Sequence, residues 1–442
     1  MKTSSSSERS KGNGITTTST EAHPSYTGKP TQDPQPSSSS STSSFRTFAS
    51  LKDADFRLFW AASMAQMAGM NMQMMVRTWY MYFLTERATM VGAVSLASAL
   101  PMLFLSPIGG IIADRIQKRH MLTAGQAASG ALGLAIAVAV QTEIITPTYL
   151  LVAAVIQGTI MGLMMPSRQA IIPEIVGRDR LMNAISLNMA GQNINRLVAP
   201  AVAGILIEQI GVASVYFTLT GLFFIAVFFT LFLHTKSFSS PSPKGAWSDL
   251  KEGVIYIRQN KTILGILTLA LISAVLSMPL HFLLPVFTEE ILQVGAQELG
   301  FLWSALGLGA IFGSLGVASL GNRNRGMMML VFTLGLGIAL VAFSSSTWYT
   351  VSLFLMIPVG LGHAGRMALS NALTQAYTDD EHRGRVMSVY MMEFGVMSIA
   401  TFGAAALAEI IGIQLAIGGM AALMVFVVIF YVAFVPRIRR LS

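Results

Sequence analysis

The 442-residue chain contains no cysteine. That absence excludes a disulfide framework and any thiolate metal site. Charge is nearly as scarce: Asp, Glu, Lys and Arg supply 11% of the residues, against roughly 25% in an ordinary soluble domain. No G-x-x-x-x-G-K-S/T stretch occurs, so nothing in the chain cradles a nucleotide's phosphates. No apolar segment precedes residue 50, and a secretory signal is not expected; the Ser-rich, acid-poor start has only a faint likeness to a transit peptide. What is abundant is apolar side chain, 53% of the total.

From residue 55 onward the apolar runs recur, each near the roughly 20 residues that a helix needs to cross a hydrocarbon core. The runs are continuously apolar, whereas membrane barrel strands alternate over about ten residues. The expectation is therefore an all-α membrane protein of twelve transmembrane helices. The predicted spans are 56–83, 89–113, 120–141, 148–170, 184–208 and 212–233, then 262–286, 299–320, 327–345, 348–371, 386–409 and 412–435. Residues 1–50, rich in Ser, Thr, Pro and Gly, read as a disordered tail. The remaining organisation is a six-helix bundle at 51–233, a linker at 234–261, a second six-helix bundle at 262–436 and a basic tail at 437–442. No soluble domain of enzyme size is left over, so the chain is not expected to be an enzyme.

The net charge of +8 sorts by loop. Arg87 alone among the bases falls in a loop on one side, and Arg77, Arg168, Arg196 and Arg366 lie within or at the edges of helices; the others gather on the opposite side. The positive-inside rule then puts both termini in the cytoplasm. The outer turns carry Glu86, Glu143, Glu208, Glu289, Glu290, Glu298 and Glu409. Topology and anionic lipid account for the basic balance, and nucleic acid is not an expected partner.

The interruption from His234 to Lys261 divides the spans six and six. Its second part, with Trp247, Leu250, Val254 and Ile257 among bases, suits either a short amphipathic helix at the interface or a solvated linker. Sliding the halves by 205 positions sets Gly177–Met189 on His382–Phe394, so that Arg180 meets Arg385 and Asn188 meets Glu393. The same offset lays Lys118 on Arg323 and Asp114 on Ser319. Two pseudo-symmetric bundles are expected, since repeats of this kind mark alternating-access architectures.

The loop "PIGGIIADRIQKRHML", Pro107–Leu122, falls between the second and third predicted spans. With the six-plus-six division it resembles the major facilitator superfamily, over about residues 50–440. Gly110, Ile112, Ala113, Asp114, Arg115, Lys118 and Arg119 fit the pattern G-x-L-A-D-R-x-G-R-K/R, with Gln117 where a glycine is usual. The segments "NMQMMVRTWYMYFLT" and "PSRQAIIPEIVGRDRLMNAISL" are similar to the branch holding bacterial drug-efflux proteins and the enterobactin exporter. "NRLVAPAVAGIL" is similar to an antiporter motif, keeping Pro200 and Gly204 but carrying Ala199 and Ala203 in place of glycines. The resemblance implies that Gly110, Asp114, Arg115, Lys118 and Arg119 form a conformational latch that holds an outward-open arrangement, with one dominant copy because Ser319 replaces the aspartate.

Polar side chains inside the spans form the candidate site. Asn188, Gln192, Asn195 and Arg196 stand at i, i+4, i+7 and i+8, one stripe on an apolar helix. A charge at the bilayer centre costs at least about 2.5 kcal/mol, so Arg196 should face a cavity or a carboxylate. Gln66, Gln73 and Arg77 share a face of the first span, and Arg168 and Arg366 complete the cavity candidates. Glu393 is the acid inside the membrane, the proton-coupling candidate, with Arg196 or Arg366 as partner. His281 and His363 read as isolated helix histidines and no metal site is expected.

The expected activity is proton-coupled export of amphipathic small molecules, drugs or siderophore-like compounds, by alternating access. No cofactor is expected beyond the proton gradient as energy source. The expected setting is a monomer in the bacterial inner membrane, with a small-molecule substrate and the lipid bilayer as its partners. Import of a small metabolite, or a sensor or scaffold without transport, are the alternatives.

Overall fold

The computed structural model describes residues 50–234, 246–320, 324–379 and 381–441, without the side chains of 111, 113, 114, 178, 179, 246–251 and 394. The expected tail at 1–49 and the first part of the linker lie outside the described residues. The first half comprises α1 (Ala54–Thr85), α2 (Ala88–Arg115), α3 (Lys118–Gln141), α4 (Pro147–Gln209) and α5 (Val212–Leu231). A linker helix α6 (Ala246–Gln259) leads to α7 (Lys261–Ser277) and α8 (Pro279–Phe287), continued by a π-turn at Thr288–Leu292. Then follow α9 (Ala296–Ser319), α10 (Arg325–Ser344), α11 (Tyr349–Ala376), α12 (Arg383–Met391), α13 (Glu393–Ile411), α14 (Ile413–Phe434) and the short α15 (Pro436–Arg439). Helix is the natural outcome for such sequences, because in lipid each backbone N–H and C=O must find its partner within its own segment.

Among the described residues, ten helical stretches are long and apolar enough to cross a membrane. The two predicted spans not among them are α1 and the second limb of α4. Both are helical, but α1 carries Gln66, Asn71, Gln73 and Arg77, and the limb after Gly177 carries Asn183, Asn188, Gln192, Asn193, Asn195 and Arg196. Interior polarity lowers their hydropathy without breaking the helix.

Several breaks have local causes. Gly177, at φ 65° and ψ 174°, bends α4 in a conformation that an L side chain rarely adopts. Pro279 lacks the N–H that would extend α7, and the chain turns at Met278 before α8 begins. At Met392 the ladder tightens to i→i−3 bonds, Met392 N to Val389 O and Gly395 N to Met392 O, which separates α12 from α13. Asp53 and Asn260 cap α1 and α7, each side-chain oxygen accepting two backbone N–H bonds.

Within the first half α2 packs on α4 and α3 on α5; within the second α9 packs on α11 and α10 on α14, the same order of partners. The halves meet through α4 with α9, α2 with α13, and α1 and α2 with α8. At the end carrying the α1–α2 turn, one hydrophobic core runs across both halves, joining Met75, Val91, Ala203 and Ile207 to Leu284, Phe287, Leu299 and Ala408. At the opposite end, where α1 begins and α14 finishes, the cores are separate: Phe56, Phe59, Leu122 and Ile171 in one half, Ile266, Leu330, Leu369 and Tyr390 in the other. Among the described residues, three hydrogen bonds bridge the halves at the joined end. Tyr82 OH donates to Glu290 Oε1 at 2.9 Å, and Thr89 donates to Glu409 Oε1 from Oγ1 at 2.6 Å and from its backbone N–H at 2.8 Å.

The linker helix docks on the second half. Tyr256 OH donates to Asp379 at 2.8 Å and its ring stacks on His382 at 4.2 Å, Glu252 pairs with Arg385 at 3.0 Å, and Ile257 is buried with Ile263 and Val386. Trp247 and Leu250, expected on the apolar face of this helix, have side chains outside the described residues.

Candidate functional site

In the second half, α7 and α8 carry Ser273, Ser277 and His281 at i, i+4 and i+8, and α11 carries His363, Arg366 and Ser370. Arg366 is buried and donates from Nη1 to Ala270 O at 3.1 Å, Ser273 Oγ at 3.3 Å and Glu393 Oε1 at 3.5 Å. The expected Arg366–Glu393 pairing is thus present, beside the break between α12 and α13. Removing one member of such a buried pair leaves an uncompensated charge at a cost of about 3–5 kcal/mol.

His281 and His363, 82 residues apart in sequence, bring their ring centroids to 5.7 Å. Trp303 of α9 stands edge-on to His281 at 5.2 Å, and one turn along α9 from Trp303 the backbone of Arg196 packs against Gly307. The expectation of isolated histidines is corrected here: the fold brings the two rings beside each other. Spacing along single helices held one usable signal, the Ser273–Ser277–His281 stripe. The approach of Trp303, and of Arg196 from the first half, left none, because contact between different helices has no sequence period.

The first-half candidates divide. Gln66 and Gln73 are buried between helices: Gln126 Nε2 donates to Gln66 Oε1 at 3.1 Å, Gln73 Nε2 to Gln157 Oε1 at 3.5 Å and Gln157 Nε2 to Ser129 Oγ at 3.3 Å. This seam ties α1, α3 and α4 together. Asn195 Nδ2 donates to the Met64 carbonyl at 3.1 Å, Asn188 is buried with Oδ1 unpartnered, and Gln192 is half-buried. Arg77 is buried near Tyr216 with Nε and Nη1 unpartnered, and Arg168 is buried with Nη2 unpartnered. Arg196 differs from both, since its side chain is exposed at the junction of the halves.

Pro200 and Gly204 lie in the main contact between the halves. A methyl group on Gly204 would stand 2.5 Å from the Ala296 carbonyl oxygen, and one on Gly300 would stand 2.5 Å from that of Pro200. These small residues let α4 and α9 touch backbone to backbone.

In the latch candidate, the Asp114 side chain lies outside the described residues. Lys118 is buried in an ion pair with Glu174 of α4, and Arg119 Nη1 donates to the Leu233 carbonyl at 3.0 Å, whereas Arg115 is exposed. These contacts all stay within the first half. The glycine that admits close packing is Gly109, where a methyl would meet the Gly162 carbonyl oxygen at 2.6 Å; a methyl on Gly110 would have open space.

Comparison with known proteins follows this geometry. The family profile described as "Transmembrane secretion effector" matches residues 45–441. The chain is 24% identical over 341 residues to the staphyloferrin A transporter of Staphylococcus aureus, covering 76% of this chain and 85% of that one. It is 27% identical over 292 residues to the enterobactin exporter EntS of Shigella boydii, covering 64% and 68%. Among solved structures, the nucleoside transporter NupG superposes with a TM-score of 0.68 at 14% identity, over 85% of this chain and 99% of that one. The peptide transporter POT gives 0.68 at 13% identity, over 88% and 95%.

Proposed function

Because the chain belongs to the transmembrane secretion effector family of the major facilitator superfamily, and is thereby a multi-pass membrane transporter, we propose that it is a proton-coupled exporter of amphipathic, siderophore-like small molecules. In this reading α1 and the second limb of α4 cross the bilayer as well, giving twelve spans in two pseudo-symmetric bundles. The protein works as a monomer in the bacterial inner membrane with both termini in the cytoplasm.

One observation carries the reading: the hydrophobic core is continuous between the halves at one end and divided at the other. That asymmetry is what alternating access requires of a cytoplasm-open state, with a polar interior reachable from one side. In this reading the latch holds the outward-open state, and the contacts of Lys118 with Glu174 and of Arg119 with the Leu233 carbonyl, both within the first half, support a state in which it is released. Glu393 is the proton carrier. Its carboxylate is held by Arg366 next to the α12–α13 break, so protonation would release Arg366 and loosen the joint at which α13 moves. The names of the staphyloferrin A transporter and the enterobactin exporter support siderophore-like cargo.

Reconstitution in proteoliposomes tests this. Saturable, uncoupler-sensitive flux across a compound panel is expected only with a pH gradient, and Glu393→Gln should abolish gradient-driven flux while leaving downhill exchange. Fully proton-coupled flux in that variant would remove Glu393 from the mechanism. Flux in the opposite direction would make the protein an importer, and no flux at all would favour a sensor or scaffold.

A further inference from the structure

We infer that the space between the halves holds a binding site for an organic anion, with Arg196 of the first half opposing His281, Trp303 and His363 of the second. The inference rests on the transporter reading and narrows its substrate class.

The first argument is charge balance. The arginines inside the described spans are Arg77, Arg168, Arg196 and Arg366, and the carboxylate that meets one of them is Glu393, at the start of α13. Arg366 takes that carboxylate. Arg77, Arg168 and Arg196 have no ion pair to any described residue. Arg196 alone of these three is exposed at the junction of the halves, so a cationic cargo would meet its uncompensated charge there, whereas an anion supplies the missing counter-charge. Each arginine at the bilayer centre costs at least about 2.5 kcal/mol, so the balance is worth restoring.

The second argument is donor chemistry. Arg196 makes no hydrogen bond to a described residue and is exposed where α4 meets α9, its backbone against Gly307. Trp303 is 6% exposed and its Nε1–H finds no acceptor. Guanidinium and indole are donors only, and a neutral imidazole adds one N–H. Such a group of donors is completed by a ligand that mainly accepts. A carboxylate matches the planar fork of a guanidinium in bidentate geometry, and the edge-on aromatic rings beside it accommodate a flat apolar body. Among the described residues no group of three or more His, Asp or Glu is placed to hold a metal ion, which separates this arrangement from a cation site.

The third argument is placement. The site takes residues from both halves, so an occupant would sense their rocking. His281 follows the α7–α8 break at Met278 by three residues, and discontinuous helices near the midplane are where carriers bind cargo.

The experiment measures binding of salicylate, citrate and the cation rhodamine 6G to the purified full chain in detergent, by equilibrium dialysis. At least one of the two anions should bind. Arg196→Gln should weaken that binding about tenfold or more, the loss of a charge-assisted hydrogen bond. Arg196→Lys, which keeps the charge and loses the planar fork, should bind more weakly than the parent but more tightly than Arg196→Gln, and rhodamine 6G should bind Arg196→Gln no more weakly than the parent. Trp303→Phe, which keeps the ring and loses the N–H, gives a second reading if Arg196→Gln fails to fold; it should weaken the anion severalfold. Equal anion binding by parent and folded variants, or binding of rhodamine 6G with neither anion, overturns the proposal. Anion binding without flux of any compound would sink the transporter reading and leave this site standing. Flux of neutral or cationic compounds without anion binding would do the reverse.

Discussion

Gln66 and Gln73 illustrate what a polar residue inside a span can mean. Their spacing on one face of α1 marks a non-lipid surface, and a cavity wall and an interhelical seam both satisfy that mark. In the structure they bond Gln126 and Gln157, so their first effect is on stability. Gln66→Leu leaves the Gln126 amide without its acceptor, at a cost of about 1–3 kcal/mol. A lower midpoint of thermal unfolding in detergent is expected, with substrate affinity in the folded fraction unchanged. An affinity change at unaltered stability would place Gln66 in the cavity instead. Arg366 with Glu393 and Asn188 with its unpartnered Oδ1 were legible as inward-facing from the sequence, because a charge or amide on an apolar helix avoids lipid. Which partner each finds was not legible, since either Arg196 or Arg366 could have reached Glu393.

Helices show a different limit. Every predicted span is helical, because continuous apolar runs in lipid have little alternative. The bend at Gly177 falls in the predicted gap between the spans 148–170 and 184–208, whereas the breaks at Met278 and Met392 lie inside predicted spans and were not foreseen, although Pro279 follows Met278 directly. The contact of α4 with α9 depends on missing side chains. Gly204→Leu should force the two helices apart, as should Gly300→Val, because each new side chain meets a carbonyl oxygen rather than a movable side-chain tip. Overpacking of this kind costs typically about 1–3 kcal/mol. Either variant should insert in the membrane and lose transport. Wild-type transport in Gly204→Leu would show that the α4–α9 contact is not needed during the cycle.

At the scale of the molecule, the joined end is closed by a shared core and by two polar contacts, Tyr82 with Glu290 and Thr89 with Glu409. Hydrogen bonds to a carboxylate contribute about 1.5–3 kcal/mol when sheltered and less when exposed, and both glutamates are exposed. The double variant Tyr82→Phe with Thr89→Val should therefore shift the equilibrium between closed and open forms of this end severalfold toward open. Accessibility of a cysteine placed at position 90 to a membrane-impermeant maleimide checks it, with faster labelling in the double variant expected. Unchanged labelling would mean that the apolar core alone holds the end shut.

The sequence by itself determined that this chain lies in a bilayer as a series of helices, because composition and run length follow from solvent alone. It also marked the polar stripes and the small residues at Pro200 and Gly204, since helical period places them on defined faces. Tertiary structure decided what those faces meet. It assigned Gln66 to a seam, Arg366 to Glu393 and Gly204 to α9, and it brought His281 beside both His363 and Trp303. Contacts between distant segments arise from how whole helices pack, and no local pattern encodes that packing. The same holds for the state of the molecule, joined at one end and divided at the other, which is a property of how the halves rest on each other.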